Sequence, residues 1–230
     1  MIIDGFQKLT LLDYPSHMAC LIFTRGCNLN CPFCQNSPLI DKDTSPGFIQ
    51  EEEVFSYLEK RRNLLEGIVI SGGEPLMQKD LIPFLRKVKD LGYLVKLDTN
   101  GSFPNLLKDI IKENLVDYVA MDIKNVKDDY AKIVGLKSIL FDPFQKSIEL
   151  LKKSKIAHEF RTTLIKEFHD LSKVRAIATL IGKDEKYYLQ NFADSENVLD
   201  KSLHGFSKDE LQFFEKSLRE DFPKIELRGL

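Results

Sequence analysis

The chain has 230 residues, 43% hydrophobic and 30% charged, with a formal net charge of -2 and no tryptophan. This composition supports a packed core and excludes a fibre or a disordered chain, while the near-neutral balance supplies no electrostatic footprint for nucleic acid or an anionic membrane. The sequence has no secretory pattern, no apolar run near the roughly 20 residues of a membrane span, and too few cysteines for a disulfide framework. The expectation is a cytoplasmic protein that binds neither nucleic acid nor membrane.

Short apolar, β-rich runs alternate along the chain with amphipathic helical patterns. After an N-terminal edge segment over 1–17, strands are expected at 18–24, 67–71, 93–99, 117–123, 157–165 and 185–191. Helices are expected near 51–65, 80–91, 104–114, 142–154, 170–182 and 207–219, with a final strand in the 201–230 segment. The helix at 80–91 illustrates the signal. Asp80 is placed to cap its start, Pro83 sits in the first turn and Gly92 closes it; Leu81, Phe84, Leu85, Val88 and Leu91 form one apolar face.

Six β-then-α units imply a parallel sheet with helices outside, because parallel strands need crossover connections. A flat doubly wound sheet and a curled partial barrel both satisfy that pattern. The expected organisation is a single unit over 1–230, with its core at 18–200.

Polar residues recur at period two inside these strands. Lys96 and Asp98 share a face, as do Asp122 and Lys124, and so do Glu159, Arg161 and Thr163; Thr99, Asn100 and Gly101 follow at a strand's C-terminal end. Internal ion pairs, Asp122–Lys124 and Glu159–Arg161, would account for any one of them. Three such strands together favour a polar ligand, since strand C-terminal ends are where α/β sheets and barrels place ligand sites.

The segment 25–36, RGCNLNCPFCQN, gathers Cys27, Cys31 and Cys34 as Cys-x3-Cys-x2-Cys. A structural zinc would have to recruit Cys20 or His17, an electron-carrier cluster wants four cysteines, and a disulfide would strand one thiol. What remains is an iron–sulfur cluster with three protein ligands and one iron open to an exogenous group. Gly26 permits a tight turn, and Asn28, Asn30 and Pro32 keep the loop out of helix. Cys20 alternates with apolar neighbours and reads as a buried hydrophobe.

This spacing, with Phe33 before the last cysteine, resembles the signature of the radical S-adenosylmethionine (SAM) enzymes. The resemblance implies a partial (β/α)6 barrel with parallel strands and outer helices. It also implies a [4Fe–4S] cluster on Cys27, Cys31 and Cys34, with SAM chelating the fourth iron. One-electron reduction would then release methionine and a 5′-deoxyadenosyl radical. By the same resemblance Gly72-Gly73-Glu74-Pro75 holds the SAM amino group, with the Glu74 carboxylate accepting from it. Phe33, Gln35 and Asn36 lie with Cys34 beside adenine and cluster, and Thr99 and Asn100 line the carboxylate or ribose. Asp122 and Lys124 contact SAM, and Arg161 and Gln190 add polar contacts.

Residues 5–15, GFQKLTLLDYP, together with the loop's Cys-Pro-x-Cys-x-Asn, are similar to the activating proteins of glycyl radical enzymes. That branch implies hydrogen abstraction from a glycine Cα of a partner enzyme, foremost anaerobic ribonucleoside-triphosphate reductase, with a flavodoxin- or ferredoxin-type electron donor. The same N-terminal stretch reads equally as an edge strand and turn closing a barrel floor. Such activators usually carry His-Asn after the third cysteine; Gln35-Asn36 keeps a donor and an acceptor but cannot titrate. No cysteine follows Cys34, so auxiliary clusters are not expected. A radical enzyme acting on a small, purine-like molecule and a non-enzymatic zinc or iron–sulfur module are the alternatives. His17, His158, His169 and His204 read as surface or cap residues, and the Phe-rich helix near 207–219 as core packing.

Overall fold

The computed structural model describes residues 1–41 and 48–229; the expected span 1–230 therefore includes seven positions, 42–47 and 230, outside the described residues. The elements run β1 (Ile3–Thr10), β2 (Ala19–Thr24), α1 (Glu51–Arg61), β3 (Gly67–Gly72), α2 (Leu81–Asp90), β4 (Leu94–Thr99), α3 (Pro104–Lys112) and β5 (Tyr118–Asp122). They continue α4 (Tyr130–Ile133), α5 (Asp142–Lys153), β6 (Ala157–Leu164), α6 (Leu171–Ile181), β7 (Tyr187–Asn191), α7 (Lys208–Arg219) and β8 (Ile225–Arg228). Every expected strand and helix is present.

The strands form one eight-stranded sheet in chain order, β1 antiparallel to β2 and all later neighbours parallel. Strands β1 and β8 end the sheet and do not pair with each other. The result is an open, partial barrel, which decides between the two architectures the sequence allowed.

Period-two alternation sorts the side chains. Cys20, Ile22, Ile68, Ile70, Val95, Leu97, Val119, Met121, Phe160 and Leu189 join the core beneath the helices. Their alternates Leu21, Phe23, Ser71, Asp98, Asp122, Arg161, Thr163 and Gln190 line an interior cavity. The bottom of the barrel is plugged by Tyr14 from the turn after β1, packed with Ala19, Leu21, Val69 and Tyr118. The N-terminal segment thus does close the floor.

Several expectations need correcting. Asp80 occupies the N-cap of α2, but its side chain makes no capping bond. Helix α1 stops at Arg61, because Leu64 and Leu65 N–H both turn back to the Arg61 carbonyl. Glu159 does not pair with Arg161; its fully buried carboxylate takes both Arg228 terminal nitrogens at 2.6 and 2.9 Å and the Tyr118 hydroxyl at 2.7 Å. His169 is buried rather than a surface residue, and His158 is half-buried against Glu185. Helix α7 packs Leu211, Phe214 and Leu218 inward but leaves Phe213 exposed, so core packing explains only part of its apolar character.

The short α4, absent from the expected elements, supports the cysteine loop. Asn30 N–H donates to the Val134 carbonyl at 2.9 Å, and Gly135 follows at φ +69°. A Cβ on Gly135 would meet the Asn30 carbonyl oxygen at 2.0 Å. Gly135→Ala is therefore expected to cost at least about 1 kcal/mol in denaturant unfolding, combining a left-handed backbone with a steric clash. Arg228→Met leaves Glu159 buried and unpaired, and should cost about 3 kcal/mol by the same measurement.

Candidate functional site

The loop that leaves β2 begins at Gly26, whose φ of +94° turns the chain, and runs through the three cysteines to Asn36. Hydrogen bonds from every side fix it. Gly26 and Cys27 N–H donate to the carbonyls of Leu39 at 2.7 Å and Ile40 at 3.1 Å. Glu74 N–H reaches the Gly26 carbonyl at 2.8 Å, and Asp200 N–H the Pro32 carbonyl at 3.0 Å. Within the loop, Leu29 N–H points at Cys27 Sγ (3.4 Å) and Cys34 N–H closes a turn on the Cys31 carbonyl (3.0 Å). Behind it, Arg25 is buried and grips Asp4 with two nitrogens, at 3.1 and 2.8 Å.

Cys27, Cys31 and Cys34 line the interior cavity of about 440 Å³. Burial pushes the Cys27 thiol up to about 11 and that of Cys31 to about 12, and raises Cys34 as well. An apolar wall alone thus disfavours the thiolates, and a cation must stabilise them. Among the described residues no group of three or more His, Cys, Asp or Glu is drawn together as around a single metal ion. A cubane cluster takes one thiolate at each of several iron corners and keeps its ligands farther apart. The donor set of three soft thiols without a fourth partner fits such a cluster. Cys20 faces the opposite side of the sheet and His17 lies beside Tyr14 and Glu66, so neither supplies a fourth ligand for zinc.

Next to the cysteines, β3 runs into Gly72-Gly73. Gly72 has φ +122° and a Cβ on it would sit 2.2 Å from Thr24 N, while a Cβ on Gly73 would sit 2.2 Å from the Gly26 carbonyl oxygen. Only bare backbone fits against β2 and the cysteine loop here, and both residues line the cavity. The Glu74 side chain turns inward. It is fully buried, does not line the cavity, and accepts from Thr99 Oγ1 (2.7 Å), Asn100 N (2.7 Å) and Leu76 N (3.0 Å). Burial pushes its carboxyl up to about 7 despite these bonds. Glu74 locks the end of β4 to the glycine turn, with three internal donors already on its two oxygens.

Thr99 and Asn100 line the cavity, but their side chains are held from within. Thr99 Oγ1 donates to Glu74, and Asn100 Nδ2 donates to Asn28 Oδ1 at 3.0 Å while lying 4.0 Å from Cys27 Sγ. Gln35 also lines the cavity and donates to the Ala193 carbonyl at 2.9 Å, tying the cysteine loop to the segment after β7. Phe33, Asn36, Asp122, Lys124, Arg161 and Gln190 complete the expected set on the same cavity wall.

The charges there are cross-linked. Asp122 takes Arg161 Nε at 2.8 Å on one oxygen and Lys124 Nζ at 3.0 Å on the other; Arg161 also approaches Asp98 at 3.5 Å, and Asp98 pairs with Lys96. Burial opposes ionisation of Asp122, yet the Arg161 and Lys124 cations hold its carboxyl well below the usual carboxylate range. Burial likewise works against the Lys124 ammonium, and the Asp122 charge outweighs it. Lys124 Nζ lies 5.8 Å from the centre of the Phe33 ring, within cation–π range.

Sequence reasoning missed Gln7, Asp13, Leu21, Phe23, Leu29 and Ser71, which also line the cavity. For Leu21, Phe23 and Ser71 the alternation of their strands carried the signal. For Gln7 and Asp13, in a segment read as resembling the activating proteins and as floor, nothing in the local pattern did.

With the site assembled, the chain was compared with known proteins. The model of the radical SAM superfamily matches residues 21–178. The chain is 34% identical over 195 residues (83% of this chain, 80% of the relative) to a Methanocaldococcus jannaschii protein whose assigned name places it among the glycyl-radical enzyme activating enzymes. It is 30% identical over 194 residues (81% and 80%) to the pyruvate formate-lyase-activating enzyme of Clostridium pasteurianum. In fold it is similar to Streptococcus suis SuiB bound to S-adenosylmethionine, with a TM-score of 0.70 at 12% identity, covering 89% of this chain and 48% of that one. By the family match and the identity to these relatives, the chain belongs to the radical SAM superfamily.

Proposed function

We propose that this radical SAM enzyme installs a glycyl radical on a partner protein, with anaerobic ribonucleoside-triphosphate reductase as the partner. The observation that carries the reading is a thiol-lined cavity inside a sheet whose end strands do not pair, leaving a side open to a polypeptide segment. The two relatives above, both named as activating enzymes, support the same reading.

Bound together, a [4Fe–4S] cluster and SAM supply a 5′-deoxyadenosyl radical on one-electron reduction. Everything else falls to this chain's residues. Cys27, Cys31 and Cys34 hold the cluster. The backbone of Gly72 and Gly73 receives the methionine amino group, with Glu74 fixing that turn from behind. Phe33, Gln35 and Asn36 flank the adenine, Thr99 and Asn100 the carboxylate and ribose. Asp122 and Lys124 form the polar wall that orients the nucleotide, and Arg161 and Gln190 extend it. The leucine and phenylalanine side chains of β2 keep water from the cavity's inner face.

The electron comes from a flavodoxin- or ferredoxin-type protein, and the activity belongs in the cytoplasm. All four cysteines are free thiols, and among the described residues no helix is long and apolar enough to cross a membrane.

Two outcomes test this. Anaerobically reconstituted protein should bind about four irons and release 5′-deoxyadenosine with a strong reductant, and Cys31→Ala should lose both iron and SAM cleavage; retained cleavage refutes the ligand assignment. Incubating reduced protein and SAM with anaerobic ribonucleotide reductase, and separately with pyruvate formate-lyase, should give a glycyl doublet by electron paramagnetic resonance with the former. A doublet only with the latter reassigns the partner, and none with any glycyl radical enzyme refutes the activation.

A further inference from the structure

Lys124 is the cation nearest the cysteines among the polar wall's charges, yet it lies two residues past the end of β5, where the sheet ladder no longer holds the chain. Its carbonyl is gripped by a side chain instead. His169, in the loop between β6 and α6, donates from Nε2 to the Lys124 carbonyl at 2.9 Å. Its Nδ1 accepts from Ile165 N–H at 3.1 Å, which puts the single ring proton on Nε2. The ring is 4% exposed, and burial pushes its pKa below the usual value, so it stays neutral.

The neighbours on either side of Lys124 are clamped to the same loop and strand. Thr162 Oγ1 donates to the Ile123 carbonyl at 2.7 Å, and Asn125, fully buried, donates to the Phe168 carbonyl at 3.2 Å. Thr162 is itself fixed by the Tyr187 hydroxyl at 2.8 Å. These bonds hold the chain flanking Lys124; the His169 bond sets the peptide plane from which the lysine side chain departs. A shift of that plane moves Nζ relative to both Asp122 and Phe33.

We propose that His169 is a positioning residue for SAM binding, acting through Lys124: by holding the Lys124 carbonyl it fixes the reach of the Lys124 ammonium into the cavity. This rests on the reading of that cavity as the SAM site.

A double-mutant cycle tests it, with SAM affinity measured by calorimetry on anaerobically reconstituted protein, and with iron content and melting temperature checked for each variant. His169→Leu should weaken SAM binding about tenfold in the parent, the scale of one misplaced charged hydrogen bond, and less than about twofold when Lys124→Met is already present. His169→Gln, whose amide oxygen and nitrogen span the same two partners, should recover most of the parent affinity. Equal losses in both Lys124 backgrounds would show a merely structural role and overturn the proposal. So would parent-like affinity in His169→Leu, or a glutamine variant as weak as the leucine one. If His169→Leu loses its iron, the same cycle run with His169→Gln decides, a loss that persists beside Lys124→Met overturning the proposal. A parent protein that holds iron but binds no SAM overturns the site reading itself, which is a different failure.

Discussion

A charge inside a protein persists only beside its opposite, and the barrel interior is organised around that constraint. Lys96, Asp98, Asp122 and Arg161, from three neighbouring strands, and Lys124, just past the end of β5, join into one chain of ion pairs. Each member is held by the next, so none can leave without exposing a buried charge. The cavity wall is polar enough to orient a zwitterionic nucleotide, its three cations set against two carboxylates. Deeper in, the same rule ties Glu159 to Arg228 and so fastens the last strand to the barrel.

The cysteine loop obeys a different logic. It has no regular secondary structure of its own and takes its shape from its surroundings: the glycine turn after β3, the corner after α4, and the segment between Ala193 and Asp200. Rigid surroundings suit a ligand set that must hold its spacing through a redox cycle. The Glu74 carboxylate, spent on three internal hydrogen bonds, belongs to this scaffolding.

Most of the architecture could be read before the structure, because the strands carry strict alternation and the helices one apolar face. The ligand wall was legible for the same reason: Asp98, Asp122 and Arg161 interrupt otherwise apolar strands at period two. Partner choice within the wall was not. Glu159 shares a face with Arg161, but which cation it meets depends on β8, a four-residue strand whose Arg228 lies 69 residues beyond it in sequence. Glu74 reads as a ligand group since a carboxylate beside two glycines commonly is one; only the fold reveals that Thr99, Asn100 and Leu76 also donate to it. His169 was unreadable as a buried hydrogen-bonding residue, because its two partners are backbone atoms that leave no mark on the sequence.

An unclosed sheet has two free edges, and a free strand edge invites another to add to it. Here both are blunted. Strand β1 breaks register with β2 twice, between Ile3 and Gly5 and between Gln7 and Thr10, which twists its outer rim away from a flat template. Strand β8 is only four residues long and ends in charged Glu226 and Arg228 flanking Leu227. The opening can therefore admit a visiting loop without seeding the stacking of one molecule upon another.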